Sequence, residues 1–214
     1  MSFEVMLRQL TVGFGQTCLI FFLTLIFSPL GMVVYFGRVC RIKPVSWLVK
    51  IYISIMRGTP LMLQLLVWYF GPYYLWGMNI GGYKLTAILL GCSLNYAAYF
   101  AEIYRSGIES IPKGQYEAAA LLGYSKGQTF FKIVLPQVVK IVLPSVTNEV
   151  ITLVKDTSLV YSLSYIEMFA VAKQIAASQT TVVPFFIAGV FYYIFNYAVA
   201  WGMELLEKKL DYYR

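Results

Sequence analysis

The sequence predicts an all-α fold, a polytopic bundle of five transmembrane helices, and three observations carry that expectation. Of the 214 residues, 59% are hydrophobic and only 13% charged, with a mean hydropathy of +0.69. Soluble domains are about 45–50% apolar and about 25% charged. Residues 9–37, 58–83 and 174–203 carry no charge at all, and a helix needs about 20 apolar residues to cross a hydrocarbon core. The basic residues are also gathered into a few short connecting stretches rather than spread along the chain. Lipid, not a water-excluding soluble core, is the solvent such a chain is built for. The whole of 1–214 reads as one membrane domain.

The first expected span covers residues 13–36. "MSFEVMLRQLTVGFGQ" before it mixes an acid with Arg8, and the apolar run that follows is longer than the roughly 7–15-residue core of a cleaved signal. "GRVCRIKP" closes the span with Arg38, Arg41 and Lys43. The second span, 47–69, is interrupted at "RGTP". Pro60 cannot donate to the carbonyl of Met56 and clashes with it, and Gly58 weakens the helix further. Thr59 is expected to cap a restarted half-helix with Pro60 at its first position. Spans three, four and five are expected over 85–108, 138–154 and 183–206. "YIEMFAVAKQIAAS", between the last two, reads as an external helix with Glu167 and Lys173 on a solvated face.

Charge orients the bundle. Arg38, Arg41, Lys43, Lys50, Arg105, Lys113, Lys126, Lys132, Lys140, Lys208, Lys209 and Arg214 fall on one side, twelve of seventeen basic residues. Arg8, Lys84 and Lys173 fall on the other, and Arg57 and Lys155 lie within spans. Lys and Arg concentrate in cytoplasmic loops, which places the N-terminus outside and the C-terminus in the cytoplasm. The net charge of +7 follows from this asymmetry, and a nucleic-acid partner is not expected. Cys18, Cys40 and Cys92 have no paired spacing and histidine is absent, so neither a disulfide framework nor a metal site is suggested.

Between spans three and four, over about 109–136, lies a polar insert containing "YEAAALLGYSKGQTFFKIVLP". Ala118, Ala119 and Ala120 are strong helix formers. Gly123 suits a left-handed helix end, and Ser125 suits the cap of a second helix. A helix, a glycine corner and a second helix should therefore lie near the membrane surface. On composition such a unit fits either a docking surface for a protein or an amphipathic surface helix.

Intramembrane charges mark the candidate path, because they are costly in lipid and turn toward cavities or one another. Arg57 lies seven residues beyond Lys50, about 10 Å into the bilayer. Asn95 lies ten residues from Arg105, and Glu149 nine from Lys140, about 13–15 Å in. Lys155 and Asp156 sit higher on span four or just beyond it. An Arg57–Glu149 ion pair that merely holds spans together is the alternative reading of the same residues. Tyr73, Tyr74 and Trp76 fit an outer aromatic belt, and Ala97, Ala98 and Ala101 a close helix contact.

Glu117-Ala118-Ala119, Gly123, Ile133 and Leu135-Pro136 resemble in spacing the EAA loop of bacterial ABC importer permeases. "SIMRGTPLMLQLL", "NYAAYFAEIYRSGIESIPKGQYEAA" and "NEVITLVKDTSLV" are similar to the branch that imports polar amino acids. The resemblance covers essentially the whole chain. It implies a type I ABC importer permease fold and a multi-pass protein of the bacterial cell membrane. It also implies coupling of Glu117, Ala118, Ala119 and Gly123 to an ATPase; substrate contact by Arg57, Asn95, Glu149, Lys155 and Asp156 is expected from their charge or polarity at membrane depth. The implied partners are two cytoplasmic ATPase subunits, a second permease chain (identical or a close paralogue) and an external amino-acid-binding protein. No G-x-x-x-x-G-K-[ST] phosphate loop is present, so ATP and Mg are expected on the ATPase, and no cofactor or enzymatic activity in this chain. A self-sufficient ion-coupled carrier or small channel, using Glu149, Lys155 and Asp156, is the alternative from another class, and a membrane enzyme a distant third.

Overall fold

The computed structural model describes residues 2–210; Arg214, counted above among the basic inner residues, lies outside them. The described residues are helical with no strands, in the order α1 (Phe3–Ile26), α2 (Leu30–Arg38), α3 (Lys43–Gly58), α4 (Leu61–Trp76), α5 (Lys84–Glu109), α6 (Lys113–Leu121), α7 (Lys126–Thr129), a π-turn (Phe130–Val134), α8 (Leu135–Asp156), a 3-10 segment (Thr157–Leu163), α9 (Met168–Gln179) and α10 (Val183–Leu210). Three stretches are long and apolar enough to cross a membrane, Phe3–Arg38, Lys126–Leu163 and Val183–Leu210. α3 and α4 pass the same test only together, bent by 113° at their junction. α5, 26 residues long, is not in this set. It is the central helix, packed against α1, α2, α3, α4 and α8, so protein rather than lipid covers it. With the bent pair counted once, four segments pass the test where five were expected, and α5 stands for the fifth by position and length alone.

Several boundaries differ from the expectation. The first span begins ten residues earlier, at Phe3, and breaks at Phe27–Pro29. Pro29 supplies no N–H to continue the ladder of α1, and α2 restarts after it across α5. The crossing is close because Gly31 has no side chain: an added Cβ would sit 2.5 Å from Phe100 Cβ. Ala97, Ala98 and Ala101, all 0% exposed, continue that contact surface along α5. Span four runs from Leu135 to Asp156 and continues as the 3-10 segment, so Lys155 and Asp156 belong to its end.

The main core gathers Phe21 of α1, Leu65 of α4, Ile88, Cys92, Tyr96 and Phe100 of α5, and Leu153 and Val154 of α8. A second cluster joins Met6 and Leu10 of α1 to Met168, Ala172 and Ile175 of α9 and Ala188 of α10. α9 forms where the external helix was expected, but Glu167 is not on a solvated face. It is fully buried and caps α9, accepting from Phe169 N and Ala170 N at 2.8 Å each. Thr17 of α1 (3.3 Å) and Tyr192 of α10 (3.1 Å) donate to the same carboxylate. Four donors satisfy a charge that burial would otherwise penalise. Lys173 is exposed and sits over the Tyr161 ring, 4.1 Å from its centroid. Tyr73, Tyr74 and Trp76, at 52, 77 and 71% exposure, point outward as a belt would.

Candidate functional site

The "RGTP" break is the first element of the site. α3 ends at Gly58, α4 starts at Leu61, and Pro60 is extended with ψ 134°. A proline inside a helix costs about 3 kcal/mol or more, so the chain bends instead and leaves the Met56 carbonyl without its helical donor. Two buried side-chain amides satisfy that carbonyl. Gln64 Nε2 and Asn95 Nδ2 each donate to Met56 O at 3.0 Å, and Asn95 Nδ2 also donates to Gln64 Oε1 at 3.0 Å. Gln64 Nε2 further reaches Thr59 O (3.1 Å) and Thr59 Oγ1 (2.8 Å). Thr59 does not cap α4 as expected. Its hydroxyl donates back to Ile55 O at 2.8 Å, closing the end of α3, while Pro60 occupies the cap position.

Beyond the bend, α2, α3 and α5 meet in a charged cluster. Glu102 of α5 is the shared acid. It pairs with Arg38 of α2, with Arg105 one turn on at 2.8 Å, and with Arg57 of α3 at 3.8 Å. Arg105 also holds Glu109 at 2.6 Å. Arg57 is the loosest member, with 45% of its side chain exposed and its guanidinium 5.4 Å from the Tyr99 ring centre. An Arg57–Glu149 ion pair is not formed within 4.0 Å among the described residues; the carboxylate at Arg57 is Glu102. Instead Arg57 and Glu149 line one open cleft of about 340 Å³, with Tyr99, Glu102, Arg105 and Ser145. Three spans of different sequence origin bring both signs of charge to one cavity.

The other expected residues lie around this cleft. Asn95 sits behind the bend, 4% exposed, with its amide protons committed to Met56 and Gln64. Tyr96, its neighbour, donates to Asp156 Oδ2 at 2.8 Å. Lys155 is exposed, at the end of a polar stripe on α8 that also includes Ser145, Asn148 and Thr152. Lys50, Ser54 and Arg57 form a matching exposed stripe on α3. Polar stripes on membrane spans face cavities or partners rather than lipid. Glu102, Gln64 and Tyr96 were not singled out from the sequence. Glu102 lies seven residues after Asn95 on one face of α5, and Gln64 is the one polar side chain in "LMLQLLV"; those were the available signals.

The insert folds as a surface unit. α6 ends at Leu121, and Gly123 takes the left-handed conformation, φ +79°. Ser125 then begins α7 with a reciprocal cap: its Oγ accepts from Gln128 N at 3.2 Å, and its N–H donates to Gln128 Oε1 at 2.8 Å. The second helix is shorter than expected, four residues, before it widens into the π-turn and runs on into α8. Glu117 and Ala118 are exposed, whereas Ala119 is 1% exposed and packs inward. Leu121 and Leu122 stand out at 90 and 76% exposure. Among the described residues, no group of three or more His, Cys, Asp or Glu side chains is placed to hold a metal ion.

Residues 27–212 match the family model "Binding-protein-dependent transport system inner membrane component". The chain is 37% identical over 204 residues to the probable amino-acid ABC transporter permease protein YckA of Bacillus subtilis, covering 94% of this chain and 88% of that one. It is 37% identical over 182 residues to the arginine transport system permease protein ArtQ of the same organism, covering 85 and 82%. Among solved structures, an amino acid ABC transporter crystallised with histidines matches with TM-score 0.86 at 28% identity, over 98% of this chain and 99% of that one. The inward-facing MetNI methionine ABC transporter shares the fold, with TM-score 0.79 at 21% identity over the same shares.

Proposed function

The chain belongs to the family of binding-protein-dependent transport system inner membrane components, and we propose that it forms the path by which a polar amino acid is carried into the cell. It is the permease subunit of an ABC importer, and ATP is hydrolysed by a separate subunit. The self-sufficient carrier has no such support. The single observation that carries the path is the open cleft lined by Arg57, Glu102, Arg105 and Glu149 from α3, α5 and α8. A cavity holding both signs of charge suits a zwitterion, which no purely apolar channel would desolvate cheaply.

In this reading Arg57, only loosely held by Glu102, takes the substrate carboxylate. Glu149 takes the ammonium group, with Asp156 a second acid farther along α8. Asn95 supports the site from behind, by holding the bend that presents Arg57. The exposed stripes on α3 and α8 face a second permease chain, identical or a close paralogue, so that the path closes between the two. Two ATPase subunits dock on α6 and α7 from the cytoplasm, with Glu117, Ala118 and Gly123 at the contact, Ala119 packing the helix from inside, and ATP and Mg held by the ATPase. An amino-acid-binding protein delivers solute from outside. In the same reading the N-terminus is external and the C-terminus cytoplasmic, which the asymmetry of basic residues supports. Copurification with an ATPase, followed by ATP-dependent uptake into liposomes, tests the proposal. Uptake that needs no ATPase and follows an ion gradient would replace it with the carrier.

A further inference from the structure

The docking loop must move α8 if it is to change the cleft, yet the backbone between them is not a stiff rod. Pro136, in the first turn of α8, has no N–H to give the carbonyl of Lys132. The chain widens there into the π-turn Phe130–Val134, where Leu135 N–H reaches back to Phe130 O. A single wide turn inside a helix is a place where register and direction can change. Pushing on α7 alone would be absorbed in that turn.

A second connection bypasses it. Gln115, in the first turn of α6, and Gln137, in the first turn of α8, hydrogen-bond in both directions. Gln115 Nε2 donates to Gln137 Oε1 at 2.9 Å, and Gln137 Nε2 donates to Gln115 Oε1 at 2.5 Å. Gln137 Nε2 also donates to Ile133 O at 2.7 Å, inside the π-turn. Both side chains are half-buried. Just before α6, Ile111 (5% exposed) seats among Val134, Val138 and Val142. That apolar plug resists separation but has no preferred direction, whereas a pair of facing amides fixes distance and plane.

We propose that the Gln115–Gln137 pair is the strut through which a docked α6–α7 loop turns α8, and that both are positioning residues for coupled transport. The proposal rests on the reading of α6 and α7 as the ATPase-docking unit. Glu149 lies twelve residues along α8 from Gln137, about 18 Å of helix, so a turn imposed at the root of α8 moves the acidic wall of the cleft. Neutral amides make this link without adding charge to an already basic surface.

The test uses the purified complex in liposomes, given a mixture of radiolabelled amino acids, with uptake per ATP hydrolysed, complex yield and ATPase rate measured together. Gln115→Ala and Gln137→Ala should each lower uptake per ATP by about threefold to tenfold, as expected for losing two amide hydrogen bonds. Complex yield should not change. The double variant should be no worse than either single one, because both remove the same link. Gln115→Glu combined with Gln137→Lys rebuilds the link as an ion pair and should recover coupling. Unchanged uptake per ATP in both single variants would overturn the strut. So would loss of uptake and complex yield together without recovery in the ion-pair variant. A wild-type chain that copurifies with no ATPase would overturn the docking reading itself, before any variant is made.

Discussion

Replacing Gln64 with leucine removes every hydrogen bond that its amide makes at the α3–α4 bend. Its two Nε2 protons are shared among Met56 O, Thr59 O and Thr59 Oγ1, and its Oε1 accepts from Asn95 Nδ2. Met56 O keeps Asn95, so the groups left wanting a partner are the Thr59 carbonyl and one Asn95 proton. Asn95 is 4% exposed, which denies its freed proton full access to water, whereas Thr59 is exposed and its carbonyl can be hydrated. A buried polar group without a partner costs about 1–3 kcal/mol, partly offset here by the better lipid and core compatibility of leucine. The net loss should be about 1–2 kcal/mol, which for a chain of this length lowers the melting temperature by about 2–8 °C. Thermal unfolding of the purified complex in detergent measures it. Pro60→Ala should act in the opposite sense on geometry: its restored N–H lets the helix straighten, at the expense of transport. A Gln64→Leu complex with unchanged melting temperature and full transport would refute the claim that side-chain amides hold the bend.

Gly123→Leu should leave the chain in the membrane but impair ATPase docking or coupled uptake. No atom would lie within 4 Å of an added Cβ, so the penalty is the left-handed backbone itself, about 1–2 kcal/mol, and Gly123→Asn should be tolerated. In a cysteine-free background Lys126→Cys should be labelled by an impermeant reagent only from the cytoplasmic side, and Gly82→Cys only from outside; labelling of the Lys126 position in intact cells would overturn the orientation. Glu102→Ala should destabilise the complex by about 1–3 kcal/mol, because it removes the acid that Arg38 and Arg57 share while the partly exposed Arg105 keeps Glu109; wild-type thermal stability would show that the cluster is dispensable.

Much of the fold was legible because lipid imposes a simple rule on composition and because proline and glycine punctuate the chain. The break at "RGTP", the corner at Gly123 and the cap at Ser125 are local chemistry, and each lies where the residues put it. Partners across space were not legible. Depth alone sets Arg57 level with Glu149, but α2 passes close enough over Gly31 to bring Arg38 to Glu102, and Glu102 then draws Arg57. Glu167 looked like part of a solvated face because nothing in "YIEMFAVAK" announces Thr17 or Tyr192, about 150 and 25 residues away. The π-turn was not legible either, since it depends on one missing N–H at Pro136 together with the tertiary contact of Gln137 with Gln115.

The cleft's role turns most directly on Glu149→Gln in the reconstituted complex, with uptake, complex yield and ATP hydrolysis measured on the same preparation. The amide keeps the shape of the side chain and removes the charge that meets the substrate ammonium group. Loss of one charge-assisted hydrogen bond is worth about 1.5–3 kcal/mol, an uptake reduced by about 10- to 100-fold. The account predicts that fall with yield and assembly unchanged, and a larger fall for a cationic amino acid than for a neutral one. Full uptake by Glu149→Gln, or loss of uptake only in step with loss of the assembled complex, would contradict it.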